Sequence, residues 1–331
     1  MIKRRCVTIF IYGLALIGMV ALCVGLEVFR VMNRPIPVLQ NAAIIQVDKS
    51  TTATSLIQTM HAQGWISSVR FWTWWIRIQG LSSKLKAGIY QVQPDESAVH
   101  LLQRIVGGKV LRERFLIRPG STMVQVSKDL AAAPHINYQD TDWTQLIHKY
   151  LSAEGLLLAD TYVYDAGASG KEVIQQAHTH LNDVLNRAWE HRDTTLPYQT
   201  AYEALIVASI LEREAAVPEE RRLISGVVVN RLRRHMPLQM DPTVIYALGD
   251  LYQGSLSHAQ MSVDSPYNTY RHQGLPPSPI AMVSADAIEA ACHPSPNSYL
   301  YFVAKGDGTH LFTSTYMQHL EAIKRYMRKS V

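Results

Sequence analysis

The chain opens with a stretch in which apolar residues do not alternate with polar ones. From Cys6 to Leu26 there are 21 residues without a charge, enough to cross a bilayer as a helix. A short proline-containing linker (Asn33 to Pro37) follows. The texture then becomes a short apolar run, a polar turn and an amphipathic segment, repeated over residues 44–66, 89–110 and 115–136. Each copy predicts a strand, a Ser or Thr suited to a helix N-cap, and a helix. The first helix carries Leu56, Ile57 and Met60 at helical spacing; the second carries Val99, Leu102 and Ile105 or Val106. Identity between the copies is low, so they read as a supersecondary echo rather than a solenoid. Between the first two copies, Trp72 and Trp75 of segment 71–80 share a helix face, which suits either stacking on sugar rings or packing in a core.

Near residue 150 the periods lengthen. Helices are predicted over 172–192, 204–217 and 219–236. The third places Leu223, Ile224, Val227, Val228 and Leu232 on one buried side, and Pro218 separates it from the second. Pro- and Gly-rich loops occupy 265–279 and 293–298. Segments 299–304 and 310–315, around the turn Lys305 to Gly308, read as a β-hairpin. The fold class is α+β: an N-terminal transmembrane helix, a small α+β subdomain, and a mainly helical domain with a short hairpin. The predicted boundaries are 1–5 for a cytoplasmic N-terminus, 6–28 for the anchor, 29–43 for a linker, 44–150 for the subdomain and 151–331 for the helical domain.

Charge refines this picture. The net charge of +5 is local: residues 1–35 hold Lys3, Arg4, Arg5, Arg30 and Arg34 against Glu27, and the remainder is almost neutral. The near-neutral remainder carries no electrostatic footprint for nucleic acid. Lys3, Arg4 and Arg5 precede the apolar segment and predict a cytoplasmic N-terminus with the bulk of the chain outside. A cleaved signal peptide and a lipid-anchored Cys23 are the rivals. No small-x-small cleavage site closes the segment, and Leu22 is bulky for lipoprotein processing. Cys6 and Cys23 lie in the apolar segment and Cys292 is alone outside it, so no intramolecular disulfide is available there. No cysteine–histidine cluster with metal spacing occurs, and neither metal nor cofactor is expected.

The candidate chemistry centres on Glu214, at the end of an apolar helix. At about 100° per residue it shares a face with Val207, Ile210 and Leu211, while Glu212 lies about 200° away. A carboxyl held against apolar side chains stays protonated to higher pH, as an acid that cleaves sugar linkages requires. The structural alternative is a helix-end Glu214 paired with Arg221 or Arg222. Asp241 followed by Pro242 suits a helix N-cap with proline at the first helical position; it also suits a second catalytic carboxylate. The loop 266–277 groups Asn268 and Tyr270 with Tyr267 and a Gly-Leu-Pro-Pro bend, side chains that read hydroxyl and N-acetyl groups. His310 is either a titrating partner or, by alternation with Phe312, a packing residue.

These residues resemble a known family, the MltG (YceG-like) endolytic murein transglycosylases. The matching blocks are 208-ASILERE-214, 230-NRL-232, 238-LQMDPTVIY-246, 267-YNTY-270, 274-GLPP-277, 293-HP-294, 299-YLYFVA-304 and 310-HLF-312. Upstream, 86-KAGIY-90, 154-EG-155 and 160-DTY-162 match as well. The resemblance places the catalytic glutamate at Glu214, the residue that the helical-face argument selects. It implies substrate binding by Gln239, Asn268 and Tyr270, with Glu154, Glu212, Asp241, Thr243 and His310 as supporting residues. It further implies a LysM-like glycan-associated subdomain and a lysozyme-like catalytic domain on the periplasmic side of a bacterial inner membrane. The implied partners are peptidoglycan glycan strands and the cell-wall synthesis machinery. The implied reaction cleaves the β-1,4 bond from N-acetylmuramic acid to N-acetylglucosamine and leaves a 1,6-anhydro end, using one carboxyl as acid and then base. Two residues depart from the family pattern, Ala159 where proline is usual and Met240 where threonine is common, and tuned loop geometry is expected of them. The alternatives are a muramidase with Asp241 assisting water, and an inert glycan-binding scaffold.

Overall fold

The structure is a computed structural model that describes residues 2–37, 43–150, 152–215 and 217–326, with side chains from Ile11 onward. The chain packs as two compact units, one of residues 1–113 with 165–167, the other of residues 114–164 with 168–331. The packing boundary thus lies ahead of the change in texture at 150. The reason is the third strand–cap–helix copy: its Phe115, Ile117, Val126 and Leu130 are buried in the core of the second unit.

In the first unit, α1 (Ile2–Asn33) takes in the uncharged segment and continues through residues 29–33 of the expected linker. Linker residues 38–42, and the side chains of Lys3, Arg4, Arg5 and Cys6, lie outside the described residues. Over Ile11–Asn33, α1 is the one described helix long and apolar enough to span a membrane, and its side chains from Ile11 to Arg30 are exposed. Strand β1 (Ile44–Val47) pairs antiparallel with β2 (Gly88–Gln91), Ile45 opposite Tyr90 and Val47 opposite Gly88. Period-two alternation sends Ile45 and Val47 inward. Helices α2 (Ala53–Ala62) and α4 (Ala98–Gly107) each begin at a Ser or Thr cap, as the pattern predicts; the caps are Thr52 and Ser97, whose side chains accept the N–H of Ser55 and His100. Between α2 and β2, α3 (Val69–Ile78) places both Trp72 and Trp75 in the core, their rings 5.6 Å apart edge to face. Of the two roles open to this pair, packing is the one the fold uses; Trp74, on the other side of α3, is the exposed indole.

The second unit takes over from Arg114 within β3 (Arg112–Leu116), which pairs with β4 (Thr161–Asp165). A capping box of Thr122 and Gln125 starts α5 (Met123–Ala132). After α6 (Thr144–Lys149) come α7 (Gly170–Glu190) and α8 (Ala201–Glu214). Helix α8 is the centre of the unit. Every residue from Ala204 to Leu211 is buried, because α7, α9 (Arg221–Arg233), α10 (Asp241–Leu248) and α11 (Ala285–Cys292) pack around it. A helix enclosed on all sides must be apolar on all sides, and only its last turn, Glu212 to Glu214, brings charge to the core's edge. The predicted hairpin forms as β5 (Tyr301–Ala304) and β6 (His310–Thr313), Phe302 opposite Phe312 and Ala304 opposite His310. Helix α12 (Tyr316–Tyr326) follows, its His319 stacked on Tyr301.

Candidate active site

The two glutamates that end α8 have separate surroundings. Glu212 Oε1 accepts from Arg221 Nη2 at 2.9 Å, and its Oε2 accepts from the backbone N–H and the hydroxyl of Ser284 at 2.8 and 2.5 Å. The Ser284 oxygen in turn accepts the N–H of Ala287 and caps α11. One buried carboxylate therefore joins α8, α9 and α11, and it takes the arginine that the structural alternative assigned to Glu214. Arg222 pairs with Glu289 instead. The Glu214 carboxyl makes no hydrogen bond to any described residue. Its burial, and secondarily the charge of Asp241, push it up from the ordinary 4.5 to about 7.

Asp241 reaches Glu214's neighbourhood through a splice of two loops. The N–H of Gln239 donates to the carbonyl of Thr269, and the N–H of Met240 to the Thr269 hydroxyl at 3.0 Å. The hydroxyls of Thr243 and Thr269 lie 2.8 Å apart in a fully buried contact. This ladder sets Asp241 against the following loop, where Tyr270 donates its hydroxyl to Asp241 Oδ1 at 2.5 Å. Burial and the adjacent Asp241 and Glu214 raise the Tyr270 phenol far above its ordinary range, so Tyr270 is a permanent donor. The expected Asp241 cap does not form. Asp241 is the first residue of α10, Met240 occupies the cap position, and the carboxylate turns to Tyr270.

Asn268 sits differently from its expected role. It is fully buried; its amide donates to the carbonyls of Met261 and Val263 at 3.0 and 2.8 Å, and its oxygen accepts the N–H of Tyr270. The side chain braces the loop from inside. Gln239 is exposed, with a backbone φ of 49° that a non-glycine residue rarely adopts. Its Oε1 accepts from Arg231 Nη1 at 3.1 Å.

Residues 45–325 match the YceG-like family. The chain belongs to that family. It is 25% identical over 311 residues to the endolytic murein transglycosylase of Bacillus subtilis, covering 86% of this chain and 84% of the relative. The protein of the same name from Streptococcus pneumoniae is 32% identical over 262 residues, which are 66% of this chain and 46% of that longer relative. A crystal structure of a YceG-like protein from Listeria monocytogenes shares the fold, with a TM-score of 0.53 at 24% identity over 84% of this chain and 98% of that one.

In this YceG-like chain the remaining expected residues disperse. Glu154 is 4% exposed. Its Oε1 accepts the first N–H of α5 at 2.9 Å, and its Oε2 lies 3.4 Å from the hydroxyl of Tyr246. Burial lifts it to about 7 against those hydrogen bonds and the nearby Arg213. Thr243 serves the loop splice. His310 bonds through Nδ1 and its backbone N–H to the carboxylate of Glu220 at 2.7 and 2.9 Å, tying the hairpin to the start of α9. The departures are accommodated: Met240 points into the core, and the Ala159 N–H donates to Val283 at 2.8 Å, holding the Glu154 to Tyr162 turn.

Arg231 had no assigned role in the sequence, although it lies within the matching Asn-Arg-Leu block. It is buried. Nε donates to Leu300, and Nη1 to Pro237, Leu238 and Gln239. Its spacing from Val227 and Val228 was the signal: a charge on an apolar face, as at Glu214.

Proposed function

We propose that this chain uses Glu214 to cut glycan strands of peptidoglycan between N-acetylmuramic acid and N-acetylglucosamine. Its relatives are named endolytic murein transglycosylases, and the chain is an enzyme of that class. The observation that carries the residue assignment is a Glu214 carboxyl with no hydrogen-bond partner among the described residues, at the edge of the core beside the Asp241–Tyr270 pair.

The protonated carboxyl gives its proton to the leaving glycosidic oxygen as that bond to the anomeric carbon breaks. The resulting carboxylate takes the proton of the muramoyl 6-hydroxyl, whose oxygen closes on the anomeric carbon to give the 1,6-anhydro end. Water is not consumed and one carboxyl suffices, unlike the paired carboxylates of most glycosidases. Asp241, held by Tyr270, favours the positive charge that develops on the sugar. Gln239, held out by its backbone and by Arg231, contacts the glycan. Asn268 and Thr243 act by shaping the loops that carry Tyr270 and Asp241.

The first unit, with its own core and two-stranded sheet, is read as the LysM-like glycan-associated part. Helix α1 is read as a single-pass inner-membrane anchor with the basic N-terminus inside, and the catalytic unit outside with the wall synthesis machinery. A hydrolytic reading remains open to Asp241, whose carboxylate is exposed; its products would be heavier than anhydro products by one water in a mass spectrum. The deciding experiment is Glu214→Gln, which keeps the shape and removes the proton. Release of anhydro-muropeptides from purified sacculi should vanish while the circular dichroism spectrum stays unchanged. Undiminished release would sink the assignment.

A further inference from the structure

A cleft of about 480 Å³ lies within the second unit. Arg213 and Pro242 line it, so it begins one residue from Glu214 on α8 and one residue from Asp241 on α10. Glu154, Ile245, Tyr252 and Lys128 line it as well. Lys128 and Arg213 also line the adjoining cleft of about 330 Å³ around Gly120, so the two cations stand where the clefts meet.

Neither cation has a carboxylate within ion-pair distance among the described residues. Arg213 spends one N–H on the carbonyl of Gly120 at 2.9 Å, leaving the rest of its guanidinium uncommitted. Lys128 is exposed and makes no hydrogen bond or ion pair to a described residue. Arg118, the other cation of the second cleft, is neutralised by Asp129 at 2.6 Å. Asp250, on the lining, is one fixed negative charge against two fixed positive ones. Burial lifts the Glu154 carboxyl to about 7, so near neutral pH it opposes an incoming anion less than an ordinary carboxylate would. A guanidinium, an ammonium, a partly protonated acid and an apolar wall together suit a short peptide bearing carboxylates.

We propose that this cleft is a subsite for the peptide that a muramoyl residue carries on its lactyl group. Arg213 and Lys128 receive its carboxylates, and Ile245 and Tyr252 take its alkyl groups. The inference rests on the reading of Glu214 above, because it assigns the cleft to the substrate cut there. It makes the enzyme a reader of peptide-bearing muramoyl units rather than of bare sugar.

The test is a calorimetric titration of the full chain with N-acetylmuramyl-L-alanyl-D-glutamate and, separately, with peptide-free N-acetylmuramic acid. The wild-type chain should bind the peptide-bearing ligand more tightly by about tenfold, the size of one charge-assisted contact. Lys128→Glu, which breaks no contact with a described residue, should erase that preference; Arg213→Gln should do the same. Equal affinity for the two ligands, no binding of the peptide-bearing one, or a preference that survives Lys128→Glu overturns the proposal. Strand cleavage by the wild-type chain is measured alongside. Peptide binding without any anhydro ends would refute the role of Glu214 and leave the subsite standing. Cleavage without peptide discrimination would refute the subsite alone.

Discussion

Tyr270 donates its hydroxyl to Asp241 across 2.5 Å, and that bond sets the charge that Glu214 feels. A hydrogen bond to a carboxylate disperses its negative charge. Asp241 is the second cause, after burial, of the raised Glu214 pKa. Tyr270→Phe should therefore move the alkaline limb of the pH–rate profile upward, and Asp241→Asn should move it downward, each by roughly half a pH unit. Shifts in the same direction for both variants would show that the pair does not act on Glu214 through charge.

Stability should carry the same signature. A carboxyl at about 7 in the fold, against 4.5 ordinarily, binds its proton more tightly when folded. Its contribution is fully present below about 4.5 and is lost as pH rises through about 7. Glu214→Gln should thus match wild type in urea unfolding at pH 4. At pH 9 it should exceed wild type, by on the order of 3 kcal/mol for a shift of this size.

Glu212 should behave in the opposite way. Its carboxylate is paired with Arg221 and holds Ser284, so Glu212→Ala leaves a buried guanidinium and an α11 cap without their partner. A loss of about 3–5 kcal/mol is expected in chemical denaturation at pH 7. An unaffected midpoint would mean that the three-helix junction does not depend on it.

Asn268→Asp keeps the shape but replaces the NH2 group, which supplies both donors, with an oxygen facing the carbonyls of Met261 and Val263. The expected cost is at least about 3 kcal/mol, with loss of activity through the displaced loop. If Asn268 instead contacted glycan, activity would fall while the melting temperature held.

Local rules made the small elements readable. Each strand–cap–helix copy starts its helix on a Ser or Thr as the pattern announced, the residues being Thr52, Ser97 and Thr122, and the apolar face of the α8 helix singled out Glu214. The unit boundary was not readable, because whether Phe115 and Ile117 join one core or the other is decided by partners far along the chain. Asp241 misled for a related reason. Asp-Pro at a helix start satisfies the capping rule locally, but Tyr270, 29 residues on, offers its hydroxyl to the same carboxylate. Asn268 looked like a sugar-reading amide because composition does not tell whether a polar loop residue faces outward or braces the loop from within.

Arg231 is a buried cation solvated by carbonyls and one amide oxygen, with no carboxylate within ion-pair distance among the described residues. Dissolved ions weaken attractions between exposed charges but scarcely reach enclosed ones. The grip of Arg231 on Leu300, Leu238 and Gln239 is therefore indifferent to ionic strength. The scaffold behind Tyr270 keeps its geometry in dilute buffer and in brine alike.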